Sequence, residues 1–379
     1  MHFAFVELSA EELRLQQAVR EFLMAELPRG QFEPGLGMGA PRDREFSRKL
    51  ARHGWLGMGL PSAYGGADRT AVERFIVTEE LLRWGAPVGH HWIADRQSGA
   101  VIARYGTESQ KLEFLPKICS GEIAFCVGMS EPDSGSDLAA ISTRATRVDG
   151  GWEVNGTKVW TSGADESDWM IALVRTSNED DKHRGLSQLI IDLRSAGVRI
   201  SPISTMTGAV DFCEVSLTAV FVPDSRVLGS PGAGWEQVTS ELVYERGGPE
   251  RWLSTYIVVE GFVRTCPPST LGAHAKRVLG GISAKLWGLR NMSLSTARAL
   301  DEGRLPAAEA SLVKEMATRY EQDMLELIRG LVDIEPTTRA AARFDRLLAH
   351  AVLNAPIFTI RGGTVEILRK VVAKDLAHA

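Results

Sequence analysis

The stretch that decides the fold is residues 125–163, which read FCVGMSEPDSGSDLAAISTRATRVDGGWEVNGTKVWTSG. Its first half contains a polar, glycine-punctuated turn over residues 130–137. Small residues in such a turn let backbone N–H groups and hydroxyls approach an anionic or heteroaromatic ligand closely, and Gly135 adds backbone freedom that other residues lack. The stretch therefore predicts a ligand cradle and not a segment of hydrophobic core.

Strand patterns follow the turn. Residues 141–148 alternate with the period of a β-strand, and Asp149-Gly150 after them is a hairpin signal. A second hairpin signal, Asn155-Gly156, precedes the segment 158–163. We therefore predict two hairpins that bring the polar turn and the Trp160 segment into one sheet.

The motifs of this stretch resemble the flavin-binding signature of the acyl-CoA dehydrogenase family. The resembling residues are Ser130-Glu131-Pro132, Gly135-Ser136-Asp137, Asn155-Gly156, Lys158 and Trp160 to Gly163. A buried tryptophan in a hairpin would explain Trp160 alone, but it would not explain the whole string in this order and spacing. In the family, the turn and the tryptophan strand flank an FAD isoalloxazine ring, so the resemblance implies FAD as the cofactor.

Individual roles follow from the same resemblance. Trp160 would cover the face of the flavin ring away from substrate, and Ser162 would hydrogen-bond near flavin N5. Met129 and Ser130 would contact the pyrimidine edge, with Ser136 near the phosphates. The full set of implied cofactor-binding residues is Met129, Ser130, Gly135, Ser136, Trp160, Thr161 and Ser162.

The composition of the whole chain is that of an ordinary soluble protein. It has 379 residues, 44% of them hydrophobic and 24% charged, a length that suits two or three domains. The formal net charge of -5 gives no general attraction to nucleic acid. The 4 cysteines show no metal-binding or C-x-x-C spacing, and no apolar run approaches the roughly 20 residues of a membrane helix. We therefore predict a cytoplasmic protein without metal, nucleic acid or membrane partners.

Helical, then β, then helical periodicity divides the chain. Two capping boxes, Ser9 with Glu12 and Thr70 with Glu73, mark helix starts before the β-rich region. Long helical patterns follow it, near residues 252–263, 282–300, 307–328 and 338–352, with a final helix after Thr364.

The resemblance covers essentially the full length and implies the architecture. The expected fold class is α+β and acyl-CoA dehydrogenase-like. An N-terminal helical domain would occupy residues 1–121, a middle β-barrel or sheet domain residues 122–233, and a C-terminal four-helix bundle residues 234–379.

Two polar residues lie in a segment that lines the acyl pocket in the family. By resemblance, His91 and Arg96 would meet a polar or bulky substrate, although solvated surface positions explain them about as well. The basic turn 182–185 also allows two interpretations, a solvated loop or a contact with CoA phosphates.

The chemistry of the family needs a carboxylate base. Oxidising an acyl thioester to its 2,3-enoyl form removes a Cα proton and transfers a hydride from Cβ to the flavin, and burial raises the pKa of a carboxylate towards the acidity of bound substrate. Many members place this glutamate directly before a Gly-Thr near the C-terminus, but here Gly362 stands at that position, before Gly363.

A minority of the family supplies the base from the Glu-Arg pair of an earlier helix, which Glu245-Arg246 resembles. We therefore predict Glu245 as the base and Arg246 near the CoA side of the pocket, with Gly362 and Gly363 leaving room for a bulky acyl group. The alternative for Glu245 is an ion pair on a helix surface.

The usual assembly motifs are missing. Homotetrameric members reach into a neighbouring FAD with Arg-x-x-Phe-Gly and Gln-x-Phe-Gly-Gly segments, but the matching residues 267–272 and 331–336 read PPSTLG and LVDIEP. The chain resembles a branch, best known in actinobacterial degradation of steroid side chains, whose members are α2β2 heterotetramers. We therefore expect a homologous acyl-CoA dehydrogenase subunit as its partner.

The sequence thus predicts an FAD-dependent acyl-CoA dehydrogenase subunit that desaturates an acyl-CoA, with a steroid-type or branched acyl group implied by the branch alone. An electron-transfer flavoprotein is the expected later oxidant. Two alternatives stay open: a flavin oxidase or monooxygenase of the same fold, and a non-catalytic structural subunit of a heteromeric enzyme. The chain carries no Walker motif, H-E-x-x-H or G-x-S-x-G, so phosphoryl transfer, zinc hydrolysis and serine acyl transfer are poor competitors.

Overall fold

The computed structural model describes residues 1–267, 269–332, 337–340 and 342–377. Side chains are described for all of these except Met38 and residues 241–245. The chain divides into two compact units, which we name by their contents. The helical unit comprises Met1–Ala40, Thr70–Pro87 and Val243–Ala379, and the sheet unit comprises Pro41–Arg69 and Val88–Leu242.

Both units contain helices, and the strands belong to the sheet unit. The α-helices are α1 (Ala10–Glu26), α2 (Arg44–Arg52), α3 (Ala71–Trp84), α4 (Gly99–Tyr105), α5 (Glu108–Cys119), α6 (Gly234–Arg246), α7 (Tyr256–Thr265), α8 (Ala273–Asp301), α9 (Ala307–Arg329), α10 (Arg343–Asn354) and α11 (Val365–Ala377). The strands are β1 (Phe125–Gly128), β2 (Arg144–Val148), β3 (Gly151–Ser162), β4 (Trp169–Arg175), β5 (Leu186–Asp192), β6 (Val198–Ser204), β7 (Val210–Pro223) and β8 (Val227–Leu228).

The strands form one mixed sheet in the order β6-β7-β3-β2-β4-β5-β8, and β1 pairs in parallel with β4. The long strand β3 is antiparallel to β2 on one edge and to β7 on the other. Val154, Met170, Leu189 and Val215 fill the inner face and are fully buried. The strand that carries the tryptophan motif is therefore held along both of its edges.

Helix α5 covers another part of the sheet. Its Phe114 meets Phe125 and Trp169 edge-on, at 5.6 and 5.1 Å between ring centroids. Leu115 from the same helix and Ile190 from β5 belong to the same buried cluster. This apolar layer fixes β1, the strand that leads into the polar turn.

The structure confirms the predicted fold class, with helices before and after a β-rich middle region. Both capping boxes form: the side chain of Ser9 accepts from the backbone N–H of Glu12, and that of Thr70 from the N–H of Glu73. Each glutamate carboxylate accepts in return from the N–H of the capping residue. These bonds satisfy donors at helix starts that would otherwise lack partners.

One of the two predicted hairpins is wrong. The turn at Asp149-Gly150 joins β2 to β3, but Asn155 and Gly156 lie inside β3 and do not reverse the chain. The ladder to β7 is irregular there, and a Cβ on Gly156 would collide with Thr143. Because β3 pairs on both edges, the Asn-Gly pair is absorbed as a bulge-like irregularity instead of a turn.

Three predicted helix starts also move. Helix α7 begins at Tyr256 instead of 252, because residues 249–251 form a separate 3-10 turn after Pro249. Helix α8 begins at Ala273 instead of 282, since Gly280 and Gly281 lie on an exposed part of the helix where glycine costs only about 1 kcal/mol each. Helix α10 begins at Arg343 instead of 338.

None of the described helices is both long enough and apolar enough to cross a membrane. Among the described residues there is also no group of three or more His, Cys, Asp or Glu side chains arranged to hold a metal ion. The four cysteines are free thiols.

The helical unit buries several charges around α9. Lys314 and Glu321 are both fully buried. The Lys314 ammonium donates to the Gly363 carbonyl at 2.6 Å, while Glu321 lies 3.7 Å from the Arg361 guanidinium and accepts from the Thr255 N–H at 3.3 Å. Burial raises the pKa of Glu321 to about 7, against the opposing charge of Arg361.

This shift makes stability fall as pH rises. Because the pKa of Glu321 is higher in the folded state than its ordinary 4.5, the folded state retains the proton between those values and loses the advantage above about 7. We expect Glu321→Gln to raise the free energy of unfolding by up to roughly 3 kcal/mol at pH 8 and by little at pH 5. Thermal unfolding at both pH values measures this. Glu326→Gln, at an exposed position on the same helix, should change neither value, and equal effects of Glu321→Gln at both pH values would contradict the prediction.

Candidate active site

The polar turn is ordered by its own backbone. Glu131 and Ser134 exchange N–H···O bonds of 2.9 and 3.1 Å. The Ser130 carbonyl accepts from the N–H of Val159 at 2.9 Å, which ties the turn to β3. Met129, just before the turn, is half-buried against an apolar cluster. The first predicted cofactor residues thus lie beside the tryptophan strand, as the sequence pattern implied.

The second half of the turn faces open space. Gly135 and Ser136 are exposed, and nothing lies within 4 Å of the place where a Cβ on Gly135 would stand. At the same end of the turn, the Lys182 ammonium donates to both carboxylate oxygens of Asp137, at 2.8 and 2.9 Å. The basic turn therefore approaches the cradle, and its positive charge is partly neutralised by Asp137.

A buried ion pair lies behind the turn. Lys158 is fully buried on β3, and its ammonium donates to Glu131 Oε1 at 2.8 Å and to the Met129 carbonyl at 3.1 Å. Glu131 also accepts from the N–H and hydroxyl of Ser142 and from the N–H of Thr143, at 2.6, 2.8 and 2.9 Å. Burial alone would raise the pKa of Glu131, but the Lys158 charge and these donors outweigh it and lower the pKa to about 2.

Trp160 breaks the regular path of β3. The ladder to β7 is irregular between Lys158 and Thr161, and Trp160 has a φ of 59°, in the left-handed region that non-glycine residues avoid. This conformation costs on the order of 1–3 kcal/mol. The conformation leaves the indole 59% exposed. In a regular strand, the Trp160 side chain would lie on the same face of the sheet as the buried Lys158.

These features fit a flavin. Trp160 offers an exposed aromatic face, and the turn around Ser136 offers open, small, polar positions for phosphates. The hydroxyl of Thr161 is buried without a hydrogen-bond partner among the described residues, and Ser162 beside it is half-buried. Strained backbone and an unsatisfied polar atom in one short segment are typical of ligand sites. The individual contacts to FAD stay predictions.

The helical unit carries four of the predicted residues, Glu245, Arg246, Gly362 and Gly363. Glu245 lies in the last turn of α6, but its side chain is outside the described residues. Arg246 is 9% exposed, and its guanidinium lies 3.3 Å from the place of a Cβ on Gly363. Gly362 has a φ of 64°. A Cβ placed on it would lie 3.2 Å from the guanidinium of the fully buried Arg251.

His91 and Arg96 take different environments. His91 is 5% exposed, and its Nδ1 is 2.8 Å from the Ser47 hydroxyl. Burial, with the Arg96 charge, lowers the pKa of His91 to about 3, so the ring is neutral. This placement favours a packing role. Arg96 is half-buried, stacks on Trp92 at 4.4 Å and lies in a π-helical turn, Ala94–Ser98, of a kind often found at functional sites.

The sequence pattern gave no role to three charged residues of this site. Glu131 and Lys158 were visible as motif letters, and a lysine on an apolar strand next to a conspicuous glutamate is a signal for a buried pair. Arg42 gave no such signal. Its Nη1 donates to the Gly163 carbonyl at 2.7 Å, but the two residues are 121 positions apart in the chain.

Replacing Trp160 tests whether the strain serves the ligand. Glycine adopts a positive φ without cost, so Trp160→Gly should change the stability of the apoprotein by less than about 1 kcal/mol. FAD affinity should fall at least tenfold, because an exposed aromatic face is lost. Thermal unfolding of the apoprotein and FAD titration measure both effects.

The matched control is Trp152→Ala on the same strand. Trp152 is 8% exposed, so this change should cost roughly 3–5 kcal/mol of stability. A Trp160→Gly protein that is strongly destabilised, yet binds FAD normally, would show that the indole is a packing residue.

Comparison with known proteins identifies the family of the chain. Three family profiles match the chain: the acyl-CoA dehydrogenase N-terminal domain over residues 9–122, the middle domain over residues 126–220 and the C-terminal domain over residues 273–377. The cradle and the tryptophan strand both lie in the middle match.

Two curated relatives come from Mycobacterium tuberculosis. Acyl-CoA dehydrogenase IpdE1 is 30% identical over 384 residues, covering 96% of this chain and 96% of IpdE1. Acyl-CoA dehydrogenase FadE34 is 30% identical over 331 residues, covering 86% of this chain, which spans only 45% of the length of FadE34.

Solved structures agree over nearly the whole chain. The Tcur3481-Tcur3483 steroid ACAD superposes with a TM-score of 0.87 and 29% identity, covering 98% of each chain. A chain of the ChsE4-ChsE5 complex from Mycobacterium tuberculosis has a TM-score of 0.84 and 29% identity, covering 99% of each. The family matches, the full-length relative and the cradle geometry together show that this chain belongs to the acyl-CoA dehydrogenase family, FAD-dependent oxidoreductases that act on acyl-CoA.

Proposed function

We propose that this chain is the flavin-bearing and base-bearing subunit of a heteromeric acyl-CoA dehydrogenase that introduces an α,β double bond into a bulky, steroid-type or branched acyl-CoA. The observation that carries the proposal is the complete cradle, with Trp160 in its strained and exposed conformation. A purely structural subunit would have no use for this conformation, since its cost of on the order of 1–3 kcal/mol would bring no return.

The substrate class rests on the Gly362–Gly363 turn and on the relatives. Both glycines have positive φ, at 64° and 94°, and guanidiniums lie close behind them. A glutamate at 362 would be strained and crowded by Arg251, so the base position common in the family carries no side chain here, and a substrate would not meet a carboxylate from this turn. The steroid ACAD, 29% identical over nearly the full length, supports a polycyclic substrate.

The base is expected from α6. Arg246, one position after Glu245, lies against Gly363, so the two places from which the family draws its base adjoin each other within the helical unit. A carboxylate that is desolvated in this place would remove the Cα proton of the thioester, because burial raises its pKa towards that of the substrate. Bound FAD supplies the acceptor for the hydride that leaves Cβ. Arg246 would orient the substrate on the CoA side.

Glu245→Gln is the direct test of the base. It keeps the size of the side chain but cannot take a proton, so kcat should fall by about 10²–10⁴-fold with FAD content unchanged. Single-turnover reduction of the flavin by acyl-CoA, followed by absorbance, measures the step itself.

Glu236→Gln is the matched control, an exposed glutamate in the first turn of the same helix. It should leave the rate within about twofold of the parent. If Glu245→Gln reduces its flavin at the parent rate, the base is another group and the Glu245 proposal fails.

The heteromer proposal rests on lost motifs and on a neighbour. Residues 267–272 read PPSTLG and lack the Phe-Gly pair of homotetrameric members. The other motif region includes residues 333–336, which lie outside the described residues. The ChsE4-ChsE5 structure is a complex of two different chains and supports a homologous partner here. From the composition we also expect a cytoplasmic location, and by resemblance an electron-transfer flavoprotein as the later oxidant.

Flavin stoichiometry tests this assembly. The chain should acquire little FAD when expressed alone, and about one FAD per pair when expressed with a homologous dehydrogenase chain encoded nearby. Native mass and flavin absorbance measure both quantities. A homotetramer of this chain alone with full flavin content would overturn the heteromer proposal while leaving the dehydrogenase assignment intact.

A further inference from the structure

The strained Trp160 segment needs support when no flavin is bound. The exposed indole meets Phe212 edge-on at 6.0 Å between ring centroids, a weak contact for holding backbone in an unfavourable region. The residues on either side of the segment are better held. Lys158 precedes the segment and is bonded to Glu131, and Gly163 follows it and is bonded to Arg42.

The first anchor is Lys158. Its ammonium is bonded to Glu131 and to the Met129 carbonyl, at 2.8 and 3.1 Å. The lysine is fully buried and Glu131 is 5% exposed, so the bonds are shielded from water. This anchor fixes the position of β3 relative to the polar turn two residues before Trp160.

The second anchor is Arg42, which lies outside the sheet. Its Nη1 donates to the Gly163 carbonyl at 2.7 Å. The guanidinium occupies the space that any side chain at position 163 would need, and Gly163 itself has a φ of 61°. Arg42 also makes a backbone bridge with Val88, so its own position is fixed within the sheet unit.

We propose that Arg42 and Lys158 act together as positioning residues of the flavin site, a clamp that holds residues 160–162 in the binding conformation before FAD arrives. Each anchor is a charge-assisted hydrogen bond to backbone or carboxylate, the class of bond strong enough to balance a strained residue. With the clamp intact, FAD meets a preformed aromatic face. Without it, the Trp160 backbone relaxes towards a regular strand, and part of the binding energy is spent on restoring it.

Loss of a clamp should lower the affinity for FAD, whereas loss of an ordinary structural contact lowers the stability of the fold. Replacing a buried ion pair by neutral groups of similar size often leaves stability unaltered. The neutral pair Glu131→Gln with Lys158→Met should therefore keep the fold and lose cofactor affinity. Arg42→Gln should do the same, because Gln cannot span the guanidinium's reach to Gly163.

The experiment measures the FAD dissociation constant of the apoprotein in whichever assembly carries flavin, with thermal unfolding as the control for folding. We expect each anchor variant to weaken FAD binding about tenfold, equivalent to 1.4 kcal/mol. Arg147→Gln is the matched control, because Arg147 lies exposed on the same sheet and pairs with Asp224. It should leave FAD affinity unchanged.

A double-mutant cycle with Trp160→Gly decides between the clamp and a merely structural role. Glycine adopts the required φ without strain, so an anchor variant should cost at least fivefold less FAD affinity in the Trp160→Gly background than in the parent. Equal losses in both backgrounds, or unchanged affinity in the anchor variants, would overturn the proposal. If Arg42→Gln does not fold, Arg42→Lys, which keeps the charge but lacks the planar guanidinium fork, takes its place in the same cycle.

Discussion

The ion pair between Glu131 and Lys158 is the constraint on which the candidate flavin site depends. A fully buried ammonium costs several kcal/mol in desolvation unless a carboxylate and further hydrogen bonds compensate it. Glu131 compensates it and is in turn held by donors from residues 142–143, where the chain enters β2. One carboxylate thus joins the polar turn, the start of β2 and the middle of β3. The cradle is a consequence of satisfying this charge.

Patterns within short range were sufficient to predict much of the architecture. The capping boxes, the Asp149-Gly150 turn and the helix–sheet–helix order depend on neighbouring residues, and all of them are confirmed. The Asn155-Gly156 hairpin failed because pairing of β3 along both edges, a property of the whole sheet, overrode a local turn preference. Helix α8 was predicted too short because its glycines lie where solvent, and not packing, surrounds them.

In the candidate site, too, residues in contiguous motifs could be predicted from the sequence, whereas residues that depend on distant contacts could not. The motif residues from Met129 to Ser162 could be proposed because the family signature is contiguous in sequence. Arg42 could not, since a contact 121 positions apart leaves no periodicity behind. The positive φ of Trp160 was also invisible, because tryptophan in a strand pattern gives no sign of left-handed backbone. Considered alone, Trp160 would be interpreted as a packing residue of a hairpin. Its backbone is nevertheless in the left-handed region that tryptophan rarely adopts.

The exposed indole has a consequence for the life of the protein in the cell. A newly made chain without flavin presents an aromatic ring, 59% exposed and two residues from a buried lysine, at the place where the cofactor is proposed to bind. A ligand that binds only the native state raises its population in proportion to free ligand over its dissociation constant. The steady amount of this protein should therefore follow the riboflavin status of the cell, so that vitamin supply sets how much dehydrogenase survives as well as how much is active.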